Sequence, residues 1–321
     1  MTSKQTYRTL CRTEKSIPIF SQDWWLDATC GETNWDVLLI EKNGRILAAW
    51  PLYMPLRGVV TMPPYTQTMG IWFAPPSGND TKYGTMLEQR QTLCKQLIEK
   101  LDARSFLQNF NHSFTDWLPF YWNGYGQTTR YTYLLGNLKN SELLWNGMNR
   151  NMRRNIHAAR ECAHITVRQG VPADDLLRLQ AQTFERQNKR NGQDPHVLRR
   201  LVHVCRRRGQ GEIWGGYDRQ ERLHATAFVV YQQSAAYYIA GGGDPALRRS
   251  CAHSLVLWEA IRFAAAHSET FDFEGSMLPG VERFFREFGA VQTPYFAISK
   301  GKLSLTDRAG IKFRKYIKKL F

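Results

Sequence analysis

The chain has 321 residues, of which 43% are apolar and 13% aromatic, enough to fill the core of one large domain or of two moderate ones. Its formal net charge of +15 favours an anionic partner, such as cofactor phosphates, nucleic acid or an anionic surface. The six cysteines are scattered without a C-x-x-C pair, which argues against both a disulfide framework and a zinc-finger site.

The first part of the chain predicts an α/β unit. Two strands, Val37–Glu41 and Arg45–Tyr53, flank Asn43-Gly44, a dipeptide that supplies the positive φ angles of a hairpin turn. Apolar residues at helical spacing then predict a helix from about Thr81 to Asp102, and Ser105–Phe110 is an expected strand. The N-terminus lacks the apolar core of a signal peptide and no stretch is long enough to span a membrane, so a cytoplasmic protein is expected.

A helix with two unlike faces is predicted after Ser141. Met152 and Ile156 lie on its apolar side, whereas Arg150, Arg153 and Arg154 form a cationic side with the spacing of helical neighbours. A solvated helix face is the favoured interpretation of these arginines. A ligand groove at a junction between two domains is the alternative.

Three antiparallel strands joined by tight turns are predicted further on, at 212–217, 223–231 and 235–240. The last of them runs into Gly241–Gly243, and a buried helix is expected from Ser250, its N-cap, to His267. Backbone N–H groups and the positive end of the helix dipole would be exposed there, beside Arg248 and Arg249. This stretch suits the phosphates of a cofactor.

Phe271-Asp272-Phe273-Glu274 alternates as a strand does, with aromatic rings on one face and carboxylates on the other. A carboxylate that faces a partly dry cleft has a raised pKa, which suits a general base for an ammonium substrate. Asp272 and Glu274 are therefore candidate bases. A structural role, in which they pair with arginines across the sheet, is the alternative.

Four stretches, in this order, resemble the Fem-like branch of the GNAT acyltransferase superfamily: FYWNGYGQTTRYTYLL, MNRNMRRNIHAARECAHITV, YYIAGGG and FDFEGSM…VERFFREFGA. The resemblance covers the chain from about Phe20 to Lys300. It implies an α/β (α+β) fold of two tandem GNAT-like domains, at 1–138 and 139–321. Each would have a central mixed, mostly antiparallel sheet flanked by helices, and the second would hold the acyl-donor site.

The same resemblance implies an N-acyltransferase. The donor would be acetyl-CoA or another acyl-CoA, no metal would be needed, and the acceptor would be an amine of a sugar or cell-envelope precursor that attacks directly. Two alternatives stay open: a Fem-type aminoacyltransferase using aminoacyl-tRNA, and a degenerate, non-catalytic binding module. Two departures bear on this choice, because the glycines of the GNAT pyrophosphate loop are missing at 248–253 and Phe285 replaces a lysine common in the branch.

Site residues follow from these expectations. Glu274, Asp272 and Tyr238 are the predicted catalytic groups, with the tyrosine as an acid for the leaving group. The predicted cofactor-binding residues are Arg248, Arg249, Ser250 and His253. The predicted substrate-binding residues are Trp122, Tyr125, Arg150, Arg153 and Arg154, of which the arginines would bind tRNA phosphates under the aminoacyl-tRNA alternative.

Overall fold

The computed structural model describes residues 2–75, 82–189 and 191–317. Its contacts divide the chain into two compact units, 1–130 with 294–321 and 131–293. In this division the chain returns to the first unit at Pro294, and the expected domains at 1–138 and 139–321 stay a prediction.

The first unit contains helices and a mixed sheet. Its elements are α1 Ser3–Thr13, α2 Asp23–Cys30, β1 Trp35–Lys42, β2 Arg45–Leu56, β3 Val59–Thr61, β4 Trp72–Phe73, α3 Tyr83–Lys100, β5 Ser105–Asn109, α4 Leu118–Trp122 and the first half of β6 Gly126–Leu135. The strands pair in the order β1-β2-β3-β5, with β4 also on β2. The predicted hairpin is confirmed, since Asn43 and Gly44 have positive φ angles between β1 and β2. The helix predicted from about Thr81 to Asp102 corresponds to α3, and its predicted start at Thr81 lies outside the described residues.

The second unit contains most of the remaining elements. They are α5 Ser141–Gly147, α6 Arg150–His157, β7 Thr166–Gln169, α7 Ala173–Arg186, α8 Pro195–Arg207, β8 Gly211–Tyr217, β9 Leu223–Tyr231, β10 Ala235–Gly243, α9 Ala252–Ala264, β11 Thr270–Asp272 and α10 Pro279–Arg286. The strand order is β6-β11-β10-β9-β8-β7. β10 and β11 are parallel, whereas their other neighbours pair antiparallel.

Two strands contain residues of both units. They are β6 and the long strand β12, Val291–Lys300, because the boundaries at 130/131 and 293/294 fall inside them. In the first unit β12 pairs antiparallel with β5, and α11 Leu305–Ile317 follows it. The expected α/β class, with mixed and mostly antiparallel strand pairing flanked by helices, is confirmed.

Each unit has its own apolar core. In the second unit α9 lies at the centre of the core, with Leu255, Val256 and Ile261 at most 1% exposed. α6 packs against α9 through Met152 and Ile156, both fully buried. The predicted burial of these two side chains is confirmed, although the predicted continuous helix is broken between α5 and α6 by extended Met148 and the N-cap Asn149.

Candidate active site

The parallel pair β10 and β11 opens at one end. Its pairing runs from Ala235 and Thr270 to Tyr237 and Asp272, and β10 then continues to Gly243 without β11 beside it. A β-bulge at Ile239 interrupts the pairing of β10 with β9 at this point. Since a bulge leaves its extra residue out of the ladder and re-aims neighbouring groups, the side chains at this end of β10 depart from the regular strand pattern.

Asp272 is a buried carboxylate at the mouth of this opening, on the same face as its register partner Tyr237. One oxygen, Oδ1, accepts the hydroxyl of Thr132 and the backbone N–H of Glu274, the latter at 2.7 Å. Burial raises the pKa of Asp272 to about 6, although both hydrogen bonds act in the opposite direction. The group can therefore exchange a proton near neutral pH.

Glu274 lies just beyond β11, which is shorter than predicted. The expected strand over Phe271–Glu274 is wrong at its end, since β11 stops at Asp272 and Glu274 has a left-handed φ of 59°. Gly275 is left-handed too, and a Cβ there would lie 2.1 Å from the carbonyl oxygen of Tyr131, so only glycine fits this close approach. This glycine turns the chain out of the strand.

The Glu274 side chain is aimed inward. The residue as a whole is partly exposed, but its Oε1 atom is buried. Burial, and next the charge of Asp272, raise the pKa of Glu274 well above its ordinary value. Seven other described non-glycine residues also have a positive φ, so the angle alone assigns Glu274 no role.

Tyr238 and His253 form a second group, on the other face of β10. The tyrosine follows Tyr237 in the strand, so its side chain points away from the carboxylates. Its hydroxyl lies 3.1 Å from Nε2 of His253 in α9, and its ring packs on Phe285 of α10. Burial lowers the pKa of His253 to about 4 and raises the pKa of Tyr238, so both are neutral at pH 7.

The start of α9 differs from the prediction. The helix begins at Ala252, and its N-cap is Cys251, which has a left-handed φ of 56°, not Ser250. Ser250 nonetheless accepts the N–H of Ala252 at 3.3 Å through its hydroxyl oxygen. The side chains of Arg248 and Arg249 are exposed in the turn just before, so two cations do flank this helix start.

The sequence analysis did not predict a chain of hydrogen-bonded side chains that ends at Ser250. His224 contacts the Ser250 hydroxyl through Nδ1 at 2.9 Å and Asp218 through Nε2 at 3.0 Å. Arg222 also binds Asp218, and these hydrogen bonds outweigh burial and hold the pKa of Asp218 below its ordinary value. No local motif announces the chain, because its members are brought together only by the β8–β9 turn and the approach of α9.

The glycine run serves packing. Gly241–Gly243 forms the end of β10 and pairs with β9, so the predicted strand runs three residues further than 235–240. A Cβ at Gly242 would lie 2.3 Å from the backbone of Leu179, which shows that α7 rests directly on the strand. The backbone N–H of Gly243 donates to the Thr183 hydroxyl at 3.1 Å.

The predicted substrate-binding residues lie in different places. Arg150 and Arg154 are exposed on α6 and Arg153 is half-buried, all in the second unit. In the first unit, the ring of Trp122 is 62% exposed, whereas Tyr125 is buried against aromatic rings of that unit's core, Phe106 and Phe120. Packing in the core thus accounts for the position of Tyr125. Because its ring is buried, the structure does not support its predicted contact with substrate.

Two further findings concern the described residues only. No cluster of three or more histidine, cysteine, aspartate or glutamate side chains there has the arrangement of a metal site. Among their helices, none combines the length and the apolar character needed to cross a membrane.

Comparison with protein families gives one match. Residues 146–286 match the model of an acetyltransferase (GNAT) domain, a segment that contains α9, β10, β11 and all of the candidate catalytic groups. A search of curated proteins gives no match.

Several solved structures share the fold. One described as FemX has a TM-score of 0.67 at 12% identity, and the alignment covers 92% of this chain and 96% of that one. The C-terminal domain of a protein described as a lysylphosphatidylglycerol synthetase, from Agrobacterium fabrum, has a TM-score of 0.57 at 12% identity, covering 98% and 96% of the two chains. A tandem GNAT protein from the clavulanic acid biosynthesis pathway gives 0.50 at 12% identity, covering 92% and 94%. Residues 146–286 therefore match a GNAT acetyltransferase domain, in keeping with an acyltransferase, and the chain shares its fold with FemX and with a tandem GNAT protein.

Proposed function

We propose that the second unit transfers an acyl group from an acyl-CoA to an amine of a sugar or cell-envelope precursor by direct attack. The observation that carries this proposal is the end of the β10–β11 pairing, with buried Asp272 and the buried Oε1 atom of Glu274 on one face and a neutral tyrosine on the other. Direct transfer between two bound substrates needs a base, an acid and a place between them.

Glu274 and Asp272 act as the base in this proposal. An amine arrives as an ammonium ion and must lose a proton before its nitrogen can attack a carbonyl carbon. Carboxyl groups with raised pKa values take up that proton more readily than exposed ones, because their basicity is closer to that of the amine. The hydrogen bond from the Glu274 N–H to Asp272 keeps the two groups adjacent, so the pair acts as one proton-accepting unit.

Tyr238 acts as the acid. When Nε2–H of neutral His253 donates to the Tyr238 oxygen, the hydroxyl hydrogen is left for the sulfur of the departing CoA. The packing of the Tyr238 ring on Phe285 and beside His253 fixes its position. Arg248 and Arg249, at the start of α9, are the proposed contacts for the donor phosphates, helped by the dipole of that helix.

A second function is transfer from aminoacyl-tRNA. The match with FemX, at a TM-score of 0.67, and the missing glycines before α9 favour it. In this case exposed Arg150 and Arg154 on α6 would meet tRNA phosphates, and the acceptor would be a peptidoglycan precursor.

The experiment that separates the two functions is binding of each donor to the intact protein. A ligand that binds only the native state raises the melting temperature. Acetyl-CoA and CoA should raise it under the first proposal, whereas tRNA alone should do so under the second. Donors that raise it are then tested for transfer to amino sugars and to peptidoglycan precursors, with mass spectrometry of the product.

A further inference from the structure

Ser250, His224 and Asp218 are hydrogen-bonded in series, and the proposed acyl transfer does not use this series. The Ser250 hydroxyl lies 2.9 Å from Nδ1 of His224, and Nε2 of the same ring lies 3.0 Å from Oδ2 of Asp218. A nucleophile, its base and a group that orients the base are recognised by such contacts, at about 2.6–3.2 Å. Enzymes that form an acyl-serine share these roles on unrelated folds and at unrelated sequence positions.

The three side chains differ in their access to solvent. His224 is 7% exposed and Asp218 is 6% exposed, whereas Ser250 is partly exposed. Ser250 is also fixed in the backbone, since it ends the turn Arg248–Ser250 and donates its N–H to the carbonyl oxygen of Leu247 at 3.1 Å. The hydroxyl can therefore meet a ligand, while the two groups behind it are shielded from water.

The charge of Asp218 determines which nitrogen of His224 carries the hydrogen. Although burial opposes ionisation, hydrogen bonds from His224 and Arg222 hold the pKa of Asp218 below its ordinary value, so the group is a carboxylate that only accepts. Nε2 of a neutral His224 then carries the hydrogen, and Nδ1 accepts the O–H of Ser250. This is the protonation state that a general base for a serine hydroxyl needs.

The surroundings of Ser250 favour negative charge. Helix α9 begins two residues later, at Ala252, and the N–H groups of its first turn have no acceptor within the helix. Arg248 and Arg249 are exposed in the turn that Ser250 ends. The positive end of the helix dipole and two cations thus lie where an oxyanion would develop during attack by Ser250 on a carbonyl group.

We propose that Ser250 is a nucleophile that takes an acyl group from a carboxylic ester and passes it to water, an esterase activity separate from the proposed acyl transfer. Ser250 Oγ bonds to the carbonyl carbon while its proton moves to Nδ1 of His224. The ester C–O bond then breaks, and the departing alcohol oxygen takes that proton. Asp218 touches no substrate and positions His224.

Water completes the cycle. It attacks the carbonyl carbon of the acyl-serine while one of its protons moves to Nδ1 of His224. The bond from that carbon to Ser250 Oγ breaks, Oγ takes the proton back, and the carboxylic acid leaves. Neither Glu274 nor a CoA donor takes part, so this inference stands or falls separately from the proposed function.

The test is reaction of the full-length protein with p-nitrophenyl acetate. We expect a burst of about one p-nitrophenol per chain, followed by slower hydrolysis, as acyl-enzyme formation requires. Mass spectrometry should find one added acetyl group, and peptide mapping should place it on Ser250. Ser250→Ala should lose both the burst and the adduct. His224→Gln should slow acetylation at least about a hundredfold, because the base is gone.

Ser304→Ala is the matched control. Exposed Ser304 accepts the N–H of Asp307 at 3.0 Å near the start of α11, so the variant removes a serine hydroxyl from a helix start in the first unit. It should keep the burst and the adduct. Melting temperatures show whether each variant is folded, and Ser250→Ala, a change at a partly exposed side chain, decides the matter if the buried His224 variant is not. A burst that Ser250→Ala retains, or an acetyl group on Cys251 or a lysine instead, would overturn the proposal and leave the series a structural link between α9 and the β8–β9 turn.

Discussion

The hydroxyl of Thr132 in β6 donates to Oδ1 of buried Asp272 in β11, on the oxygen that also accepts the Glu274 N–H. Two donors on one oxygen stabilise the ionised carboxylate, while burial opposes ionisation more strongly. The result is a carboxyl group whose pKa is about 6 and whose position is fixed from both sides. Because a pKa that changes on folding makes stability depend on pH, unfolding at different pH values tests this arrangement of Asp272.

The first prediction concerns Asp272→Asn. The folded-state pKa of Asp272 is raised from 3.8 to about 6, so its favourable contribution is complete below pH 4 and is lost as the pH rises through 6. The loss amounts to about 3 kcal/mol. An asparagine keeps the acceptor oxygen without the charge, so the variant should be more stable than the parent at pH 7.5, with a smaller difference at pH 4.

Urea unfolding at both pH values measures this effect, and Asp218→Asn is the control of opposite sign. The pKa of Asp218 is lowered by its hydrogen bonds from His224 and Arg222, so that variant should lose stability at pH 7.5. If Asp272→Asn were destabilised at pH 7.5 as Asp218→Asn is, the buried charge of Asp272 would be a net stabilising feature and our account of it would be wrong.

The second prediction concerns His253→Asn. Burial lowers the folded-state pKa of His253 from 6.5 to about 4, so its contribution to stability is complete above pH 6.5 and is lost as the pH falls through 4. We expect the stability of the parent relative to the variant to fall by about 3 kcal/mol between pH 7 and pH 4. Taking the difference at each pH removes the opposite effect of Asp272, which is common to both proteins. A difference that does not change with pH would contradict a buried, neutral His253.

The third prediction concerns the close contact between α7 and β10. Gly242→Ala would place a methyl group against the backbone of Leu179, which cannot move without shifting the helix, and we expect a loss of about 3 kcal/mol. Gly243→Ala is the matched control, because its methyl group would meet the nearest atom, the carbonyl oxygen of His224, at an ordinary 3.5 Å. Denaturant unfolding of both variants checks the order. Equal losses would show that glycine flexibility, not packing, decides stability here.

The fourth prediction concerns the donor phosphates. Arg248→Glu/Arg249→Glu should weaken CoA binding at least about tenfold, as expected for the loss of charged hydrogen bonds. Both side chains are exposed in a turn, so the melting temperature should hardly change. Titration calorimetry with CoA measures the affinity, with Lys42→Glu/Lys95→Glu as a control of equal charge. Unchanged CoA binding would place the phosphates elsewhere.

Local patterns in the sequence were enough to predict several elements. The Asn43-Gly44 turn, the three strands β8, β9 and β10, and the buried side of α6 are each encoded by neighbouring residues, whose spacing determines the outcome. Asp272 and Glu274 could be predicted as candidate general bases for the same reason, since two aromatic residues alternate with these two carboxylates in the sequence. Phe271 and Phe273 do fill the core, at 0% and 1% exposure.

Features that depend on distant residues were missed. The packing role of the glycines of β10 was not predicted, because α7, which approaches them closely, is formed by residues about sixty positions earlier. Glu274 was expected in a strand because nothing local shows that Gly275 must pass the backbone of Tyr131. The contacts among Asp218, His224 and Ser250 likewise exist only after β9 and α9 have come together.

The central claim is that Glu274 accepts a proton during acyl transfer. General-base help is worth about 10²–10⁴-fold in rate, so Glu274→Gln should lower turnover in that range. The variant should be at least as stable as the parent at neutral pH, because burial raises the pKa of Glu274 well above its ordinary value and so disfavours the charged carboxylate in the folded protein. Glu259→Gln, on the surface of α9 and engaged with Arg262, is the control and should keep its turnover.

The decisive measurement is amine-dependent release of CoA from acetyl-CoA, followed in the parent protein and in Glu274→Gln beside their unfolding free energies. Our account predicts release that requires an amine acceptor, and a loss of at least about a hundredfold in a variant that is at least as stable as the parent. Full turnover in a less stable Glu274→Gln protein would contradict it, and would make this residue a structural support instead of a base.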